Sequence, residues 1–262
     1  MAYSSPVEPL CKVCGMPSAF FDRTEVLRKY LVQYFRCDGC GFIQAEEPYW
    51  LEEAYSSAIA SLDVGIISRN LANCTVTSAV LNMLFPKASK AVDFGAGHGI
   101  LVRMMRDSGF NFYWSDLHAT NDYARGFEAE EGMTYDLLTA FEVLEHLTDP
   151  VAELAKLMRL SENVFVSTCI VPRDLNGSSE WWYFAPTTGQ HISLYTEEAL
   201  NLLAKRFGRH LLSVGPYHLF TKKRCGGLLY KMATNLRVAR IINRIYRRQS
   251  LIASDFQKMT IR

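Results

Sequence analysis

The chain has 262 residues, a net charge of +1 and 49% hydrophobic residues, enough for a globular core in one large domain or one domain with an accessory module. No N-terminal stretch joins a basic region to a long apolar run, and no segment approaches the roughly 18 apolar residues of a membrane span. We therefore expect a cytoplasmic protein whose seven cysteines are thiols or metal ligands rather than disulfides.

Two Cys-x-x-Cys pairs near the start of the chain have the spacing of a metal site. A glycine follows each pair and lets backbone N–H groups turn towards the sulfurs, and residues 30–36 between the pairs have strand composition. These features predict a zinc-ribbon-like module over residues 1–47 with a closed, structural Zn²⁺ site, with a redox motif or unbound thiols as the alternatives. The predicted ligands are Cys11, Cys14, Cys37 and Cys40.

Residues 48–87 have aromatic and aliphatic side chains at helical spacing, with Pro48 and Pro86 near the two ends. We predict a helical cap segment here. Its aromatic residues Tyr49, Trp50 and Tyr55 either pack in a core, which is the simpler interpretation, or cover the ligand pocket of the domain that follows.

Residues 91–99 combine a short buried strand with glycines at every second position, which predicts a strand, a tight turn and a helix start. Free N–H groups at the helix start then face a ligand in the turn. A pyrophosphate site has the pattern Gly-x-Gly-x-x-Gly and would be repelled by Asp93, two residues before the first glycine. Asp93 instead suits a cationic amino group, and Asp116 at the end of the next strand suits ribose hydroxyls.

Strand and helix patterns alternate through residues 88–220, which predicts an α/β fold with a Rossmann-like, doubly wound and mostly parallel sheet. In such a sheet, ligands bind outside the carboxyl ends of the strands, where the glycine turn also falls. The predicted strands cover residues 91–94, 111–115, 137–140 and 163–168, and the predicted helices cover residues 100–108 and 150–159, with a short helix near Tyr123.

Three stretches, residues 92–99, 112–117 and 135–147, resemble the motifs of class I S-adenosylmethionine-dependent methyltransferases. The resemblance implies that Asp93 holds the amino group of the cofactor, that Asp116 accepts hydrogen bonds from both ribose hydroxyls and that Leu117 packs on adenine. The implied cofactor-binding residues are Asp93, Gly95, Ala96, Gly97, His98, Asp116, Leu117, Phe141 and Glu142.

Residues 171–195 follow the last predicted strand and combine proline and glycine with large aromatic side chains. Because a loop offers no periodic buried face, we interpret this insertion as a substrate lid whose aromatic faces stack on a sugar ring or a base. The predicted acceptor-binding residues are Trp181, Trp182, Tyr183 and Tyr195.

Residues 190–200 resemble the His-x-Ser-Tyr element of small-molecule methyltransferases that act on deoxysugars, some of which also carry an N-terminal zinc module. The resemblance implies that His191 is the base that removes the acceptor proton, with His146, or transfer without a protein base, as the alternatives. The sugar C-methyltransferases continue into a second large domain for which 262 residues leave no room. We therefore expect O-methylation of a sugar, nucleotide-sugar or polysaccharide end.

Residues 221–262 form a basic tail, in which residues 222–248 contain nine basic residues and no acid. We predict one or two amphipathic helices that either cover the domain or bind an anionic acceptor, a membrane surface or nucleic acid.

Two other functions of the protein stay open. One is RNA methylation with the zinc module and tail holding phosphates, although residues 141–146 lack an Asn-Pro-Pro-Tyr-like motif. The other is a non-catalytic, cofactor-binding partner protein.

Overall fold

The computed structural model describes residues 8–55 and 64–260. The chain divides into two compact units. The first is formed by Met1–Ser57, Glu142–Ala155 and Thr168–Arg209, and the second by Ala58–Phe141, Lys156–Ser167 and His210–Arg262.

The strands in chain order are β1 (Ser18–Val26), β2 (Tyr30–Cys37), β3 (Ile43–Ala45), β4 (Ala91–Phe94), β5 (Phe112–Ser115), β6 (Leu137–Phe141), β7 (Asn163–Ser167), β8 (Ser193–Leu194), β9 (His210–Val214) and β10 (Tyr217–Thr221). The helices are α1 (Leu51–Ala54), α2 (Ile66–Leu84), α3 (Ile100–Asp107), α4 (Pro150–Leu160), α5 (Glu197–Arg206), α6 (Gly227–Thr234), α7 (Leu236–Ile245) and α8 (Ile252–Thr260).

The first unit is built on an antiparallel sheet with the strand order β1-β2-β3-β8. Strands β1 and β2 form a long hairpin, in which Ser18 pairs with Cys37 and Val26 pairs with Tyr30. Apolar side chains from two separate parts of the chain make one core: Val26, Val32, Tyr34, Ile43, Ala45, Trp50, Val171, Leu175, Tyr183, Phe184, Ile192 and Leu194.

This grouping differs from the predicted boundaries, in which residues 1–47 were a separate module and residues 171–195 a lid. Tyr183 and Phe184 from the insertion are fully buried, and β8 extends the sheet beside β3. The reason is that a module of about 40 residues cannot bury a sufficient core alone, so the insertion supplies the missing apolar surface. A loop without periodicity therefore does have a buried face here, contrary to the prediction.

The second unit contains a six-stranded sheet with the order β5-β4-β6-β7-β10-β9. The first four of these strands are parallel, and β10 and β9 are antiparallel. Val92, Leu138 and Val164 on the central strands are fully buried. Strands covered on both faces have continuous apolar sequences, which is why the sequence predicts them well. The predicted α/β fold with a mostly parallel sheet is confirmed.

The structure differs from the predicted elements in three places. The hairpin β9–β10 was not predicted, and the described part of the tail forms three helices rather than one or two. Around Tyr123 the described chain forms turns, because the N–H groups of Asp122 and Tyr123 both donate to the His98 carbonyl oxygen (3.1 and 3.0 Å). The predicted helical segment contains α1 and α2, and its residues 56–63 lie outside the described residues.

The tail is attached to the second unit by packing and by charge. Helices α6 and α7 contact α2. Helix α8 is fixed by Asp255, which is buried and binds the guanidinium groups of Arg106 (2.6 Å) and Arg103 (2.8 Å). None of the helices in the described residues combines the length and the apolar content that a bilayer crossing requires.

Gly109 provides a test of the contact between the α3 turn and the tail. It has a φ of +87°, and an added Cβ would lie 2.4 Å from the Gln249 carbonyl oxygen. We expect Gly109→Ala to lower the free energy of unfolding by about 3 kcal/mol, from left-handed strain plus steric overlap. Urea denaturation measures the loss.

The matched control is Gly132→Ala in the same unit. Its φ is +78°, and no heavy atom of the described chain lies within 4 Å of the added Cβ. This variant should lose only about 1–2 kcal/mol from backbone strain. Equal losses in the two variants would contradict the contact with Gln249.

Candidate functional site

The glycine turn between β4 and α3 is the feature on which the site of the second unit is built. Gly95, Gly97 and Gly99 have φ values of +68°, +52° and +87°, which residues with side chains rarely adopt. An added Cβ on Gly97 would meet no heavy atom of the described chain within 4 Å, so the space beside it is open to a ligand. A Cβ on Gly99 would lie 2.8 Å from Asn121 Oδ1, so Gly99 is required for packing.

Asp116, which directly follows β5, holds this turn in place. Its Oδ2 accepts a hydrogen bond from the Gly97 N–H (2.8 Å), and its Oδ1 accepts from the N–H groups of His118 (2.7 Å) and Ala119 (2.8 Å). The indole Nε1 of Trp114 also donates to the Gly97 carbonyl oxygen (2.7 Å). Since each carboxylate oxygen has two lone pairs, the two N–H groups occupy Oδ1, and Oδ2 keeps one lone pair that can accept a hydrogen bond from a ligand hydroxyl.

Asp93 lies on β4 and is only 4% exposed. Thr139, its register partner on β6, donates from Oγ1 to Asp93 Oδ1 (2.6 Å). Burial raises the pKa of Asp93 to about 7, with a further contribution from the negative charge of Asp116, while the Thr139 hydrogen bond acts in the opposite direction. A buried carboxyl group with a raised pKa is stabilised by a cationic partner, which is the partner that the sequence predicts.

The other predicted cofactor residues of the second unit occupy different environments. His98 lies with Nδ1 2.6 Å from Asp122 Oδ2, and this bond is the main cause that lowers the pKa of Asp122. Leu117 is 83% exposed. The ring of Phe141 packs edge-on against Phe165 with centroids 5.2 Å apart, so this side of Phe141 belongs to the core.

Two further predicted residues contribute through the backbone. The N–H of Ala96 donates to the Ser115 carbonyl oxygen (3.2 Å), which joins the glycine turn to the end of β5. Glu142 follows β6 directly and has a φ of +54°. A left-handed conformation is rare for a residue other than glycine and is found at functional turns more often than elsewhere.

The four predicted metal ligands of the first unit lie together. All four sulfurs are within 4.8 Å of one another, and the closest pairs are Cys11 with Cys40 (3.7 Å) and Cys14 with Cys37 (3.4 Å). Sulfurs bound at ~2.3 Å to one tetrahedral ion lie about 3.8 Å apart, so the cluster has the right size for a metal. The N–H of Gly39, inside the second pair, donates to Cys37 Sγ (3.3 Å), whereas the glycines that follow the two pairs donate to the carbonyl oxygens of Cys11 and Cys37.

A second polar cluster in the first unit contains Glu145, His146 and His191. The first two residues lie in a short 3-10 turn, and His191 precedes β8. One nitrogen or oxygen atom from each lies within 4.8 Å of the others. Tyr183 connects two of them, because its hydroxyl donates to Glu145 Oε1 (2.5 Å) and its carbonyl oxygen accepts a hydrogen bond from His191 Nδ1 (2.5 Å). The structure thus brings both predicted catalytic histidines together.

Burial lowers the pKa of both histidines, to about 3 for His146, where the neighbouring His191 adds to the effect. For His191, the hydrogen bond to the Tyr183 carbonyl and the charge of Glu142 act in the opposite direction. Both imidazoles are therefore neutral at neutral pH. Because His191 Nδ1 donates its proton to Tyr183, the lone pair of His191 is on Nε2, which can accept a proton.

The four aromatic residues predicted to bind the acceptor separate into two pairs. Trp182 is 74% exposed, and Trp181 is partly buried with its ring 5.2 Å from that of Tyr183. Tyr183 and Tyr195 are fully buried, and the Tyr195 hydroxyl donates to the Leu144 carbonyl oxygen (2.9 Å). Their burial corrects the prediction that these two tyrosines contact the acceptor from a lid. Trp181 and Trp182 remain predicted acceptor contacts.

The sequence patterns predict no role in a site for Glu145, Thr139 or the hydroxyl of Tyr55. Glu145 is fully buried beside His146, and an acid within an apolar turn was an available signal. Thr139 is the polar residue of an otherwise apolar strand, which was a signal as well. The Tyr55 hydroxyl lies 3.0 Å from His146 Nδ1, and nothing in the local sequence of Tyr55 indicates this contact.

Comparison with known proteins identifies the family to which the chain belongs. Residues 69–214, more than half of the chain, match the family model described as a methyltransferase domain. The ubiquinone biosynthesis O-methyltransferase of Erwinia tasmaniensis is 32% identical over 133 aligned residues, and the match covers 42% of this chain and 51% of that protein. The chain thus spans about half the length of this curated relative.

Two of the similar solved structures share little sequence with the chain. One is an O-methyltransferase family protein from Burkholderia thailandensis, with 16% identity, a TM-score of 0.45 and coverage of 65% of this chain and 66% of the other. The second is human N-acetylserotonin methyltransferase in complex with S-adenosylmethionine, with 15% identity, a TM-score of 0.48 and coverage of 68% and 59%.

The chain therefore belongs to the methyltransferase-domain family, and its mostly parallel sheet and glycine turn are those of a class I S-adenosylmethionine-dependent methyltransferase domain. The resemblance in the three sequence motifs is confirmed at this level.

Asp116 gives a direct test of the cofactor site. Asp116→Ala removes the acceptor of three backbone hydrogen bonds and the predicted acceptor for the ribose hydroxyls. We expect S-adenosylhomocysteine to bind on the order of 100-fold more weakly, because hydrogen bonds to a charged group contribute about 1.5–3 kcal/mol each. Isothermal titration calorimetry measures the affinity.

Asp107→Ala is the matched control, since this acid on α3 is partly exposed and pairs with Arg103 on the same helix. Its effect on the affinity should stay within about twofold. If Asp116→Ala binds as tightly as the control, the ribose assignment is refuted.

Proposed function

We propose that the protein transfers the methyl group of S-adenosylmethionine to a hydroxyl oxygen of a sugar, nucleotide-sugar or polysaccharide end. The observation that carries the cofactor part of the proposal is the left-handed glycine turn held by Asp116, with open space beside Gly97. When bound, S-adenosylmethionine supplies an electrophilic methyl group on a sulfonium centre. Asp93 would hold its amino group, Asp116 its ribose and the glycine turn its methionine portion.

These residues fit such a cofactor by charge as well as by space. Asp93 is buried and gains from a nearby cation, which the amino group provides. Asp116 is fixed by three N–H groups, so it is preorganised to accept hydrogen bonds from neighbouring hydroxyls. A pyrophosphate in the same place would be repelled by both carboxyl groups once they are ionised, which argues against a dinucleotide.

The proton of the acceptor hydroxyl would be taken by Nε2 of His191. Methyl transfer to an alcohol requires loss of this proton, and a neutral imidazole of fixed tautomer is suited to accept it. His146 is the weaker candidate, because burial holds its pKa near 3, whereas the Tyr183 carbonyl and Glu142 partly offset the effect of burial on His191. Tyr183 would act as a positioning residue through its bond to His191 Nδ1.

An oxygen acceptor is supported by the relative from Erwinia tasmaniensis, which is an O-methyltransferase. A sugar ring is supported by the indole faces of Trp181 and Trp182, since flat aromatic surfaces pack well against the C–H faces of sugars. The relative's name also gives a competing acceptor, a compound of ubiquinone biosynthesis, and RNA is a third. These acceptors are chemically separable, so one experiment distinguishes them.

The reaction can be tested with methyl-labelled S-adenosylmethionine in extract of the source cells. We expect label in the carbohydrate fraction, and we expect His191→Asn to lower the rate on the order of 100-fold or more, because asparagine can still donate to the Tyr183 carbonyl but cannot accept a proton. S-adenosylhomocysteine affinity should stay unchanged in this variant. His210→Asn, an exposed histidine on β9, is the control with full activity.

Other outcomes of the labelling experiment decide against parts of the proposal. Label released by nuclease would overturn the sugar acceptor in favour of RNA, and label in an organic extract resistant to sugar hydrolysis would favour a compound of ubiquinone biosynthesis. A wild-type rate in His191→Asn would remove His191 as the base.

The cysteine cluster is proposed to hold a structural Zn²⁺, because four thiolates leave no open coordination position for chemistry. We expect about one zinc per chain in purified protein, and Cys11→Ser should lose most of it and unfold at a lower temperature, since metal binding contributes folding free energy. Elemental analysis and thermal denaturation measure the two effects. Cys225→Ser, a cysteine outside the cluster, should keep the zinc, and equal zinc contents in both variants would contradict the site.

A further inference from the structure

Helix α7 has an exposed face on which arginine and isoleucine side chains are interspersed. Its residues follow the spacing i, i+3, i+4, i+7 and i+8, which places them on one side of a helix with 3.6 residues per turn. We name this face the α7 surface, and it consists of Arg237, Arg240, Ile241, Arg244 and Ile245. Ile241 is 57% exposed and Ile245 is 71% exposed, although both are large apolar side chains.

The opposite side of α7 is fixed to the second unit. Ala239 and Ile242 are buried, and Asn243 donates from Nδ2 to the Thr75 carbonyl oxygen (2.9 Å) on α2. Asn235 caps the start of the helix by accepting hydrogen bonds from two N–H groups. Since the inner side determines how the helix lies, the α7 surface is a preformed, outward-facing feature of this unit.

The arginines of the α7 surface carry uncompensated charge. Within residues 8–55 and 64–260, no carboxylate forms an ion pair with Arg237, Arg240 or Arg244. Arg240 and Arg244 also line, with Arg247, an open cleft of about 460 Å³. By contrast, Arg106 is buried and paired with Asp255, so the arginine that supports the fold is neutralised. The free positive charge is available to an anionic partner.

We propose that the α7 surface docks on an anionic lipid bilayer, with the arginines at the lipid phosphates and Ile241 and Ile245 at the boundary with the acyl chains. A helix of ten residues is too short to span a bilayer but can lie in its interface. Arginine stems can also bury their methylenes there while the guanidinium groups stay at the headgroups. This docking does not depend on the acceptor proposed above.

The apolar residues decide between a bilayer and a nucleic acid. Phosphates of RNA would satisfy the arginines, but Ile241 and Ile245 would stay in water. A lipid interface offers negative charge and an apolar layer within a few ångströms of each other. The arginines can therefore bind phosphates while the two isoleucines leave water. The spacing of the two isoleucines among the arginines therefore favours lipid.

The test is co-sedimentation of the full-length protein with vesicles of phosphatidylcholine alone or mixed with phosphatidylglycerol. Arg240→Gln/Arg244→Gln should lower the partition coefficient on mixed vesicles on the order of 30-fold, since each basic residue near the surface contributes about fivefold. Ile241→Ser/Ile245→Ser keeps the charge and should still lower it about tenfold or more. Lys205→Gln/Arg206→Gln removes the same charge from α5 and should bind nearly as the wild type does.

Three results would overturn the proposal. One is equal binding to neutral and mixed vesicles, and another is an unchanged partition coefficient in the isoleucine variant. The third is tight binding to single-stranded RNA that is lost in the arginine variant and kept in the isoleucine variant, which would assign the surface to nucleic acid. S-adenosylhomocysteine affinity should match the wild type in every variant, so failure of docking and failure of the methyltransferase proposal are distinguishable.

Discussion

The hydrogen bond from the Gly97 N–H to Asp116 Oδ2 connects the end of one parallel strand to the turn that follows its neighbour. The glycine turn has three positive φ angles, so it depends on contacts from outside to keep its shape. Asp116 and the Trp114 indole supply these contacts through short hydrogen bonds. In consequence the open space beside Gly97, the buried Asp93 and the start of α3 keep fixed positions in the second unit.

A comparable role in the first unit belongs to Tyr183. Its ring fills the core, its hydroxyl binds Glu145 and its carbonyl oxygen binds His191. One residue therefore couples the packing of a small core to the orientation of a histidine. The same unit contains the four-cysteine cluster, and a metal bound there would add folding free energy to this small core.

Charge is distributed differently in the interior and on the tail. In the interior, Arg106 and Asp255 satisfy each other, because a buried guanidinium without a partner would be costly. On α7 the arginines face outward without carboxylates among the described residues, at a small cost in water. The near-zero net charge of the whole chain conceals this separation, so the chain can be nearly neutral overall and still present a strongly basic surface.

The sequence by itself determined the elements that depend on local spacing. Buried parallel strands such as β4 and β7, the glycine turn and the cysteine pairs each have a pattern within about ten residues, and the structure contains all of them. The family follows from the same motifs, because the class I site is built from consecutive turns of one sheet.

Only the tertiary structure decided which distant segments meet. Glu145 and His146 lie close to His191 although about 45 residues separate them, and Tyr183 is buried because it packs in one core with apolar side chains of the antiparallel sheet. Local spacing contains no information about such partners, since burial is a property of the assembled chain. The orientation of α7 also depends on distant contacts. Its sequence predicts an amphipathic helix, but the contacts with α2 determine which side remains exposed.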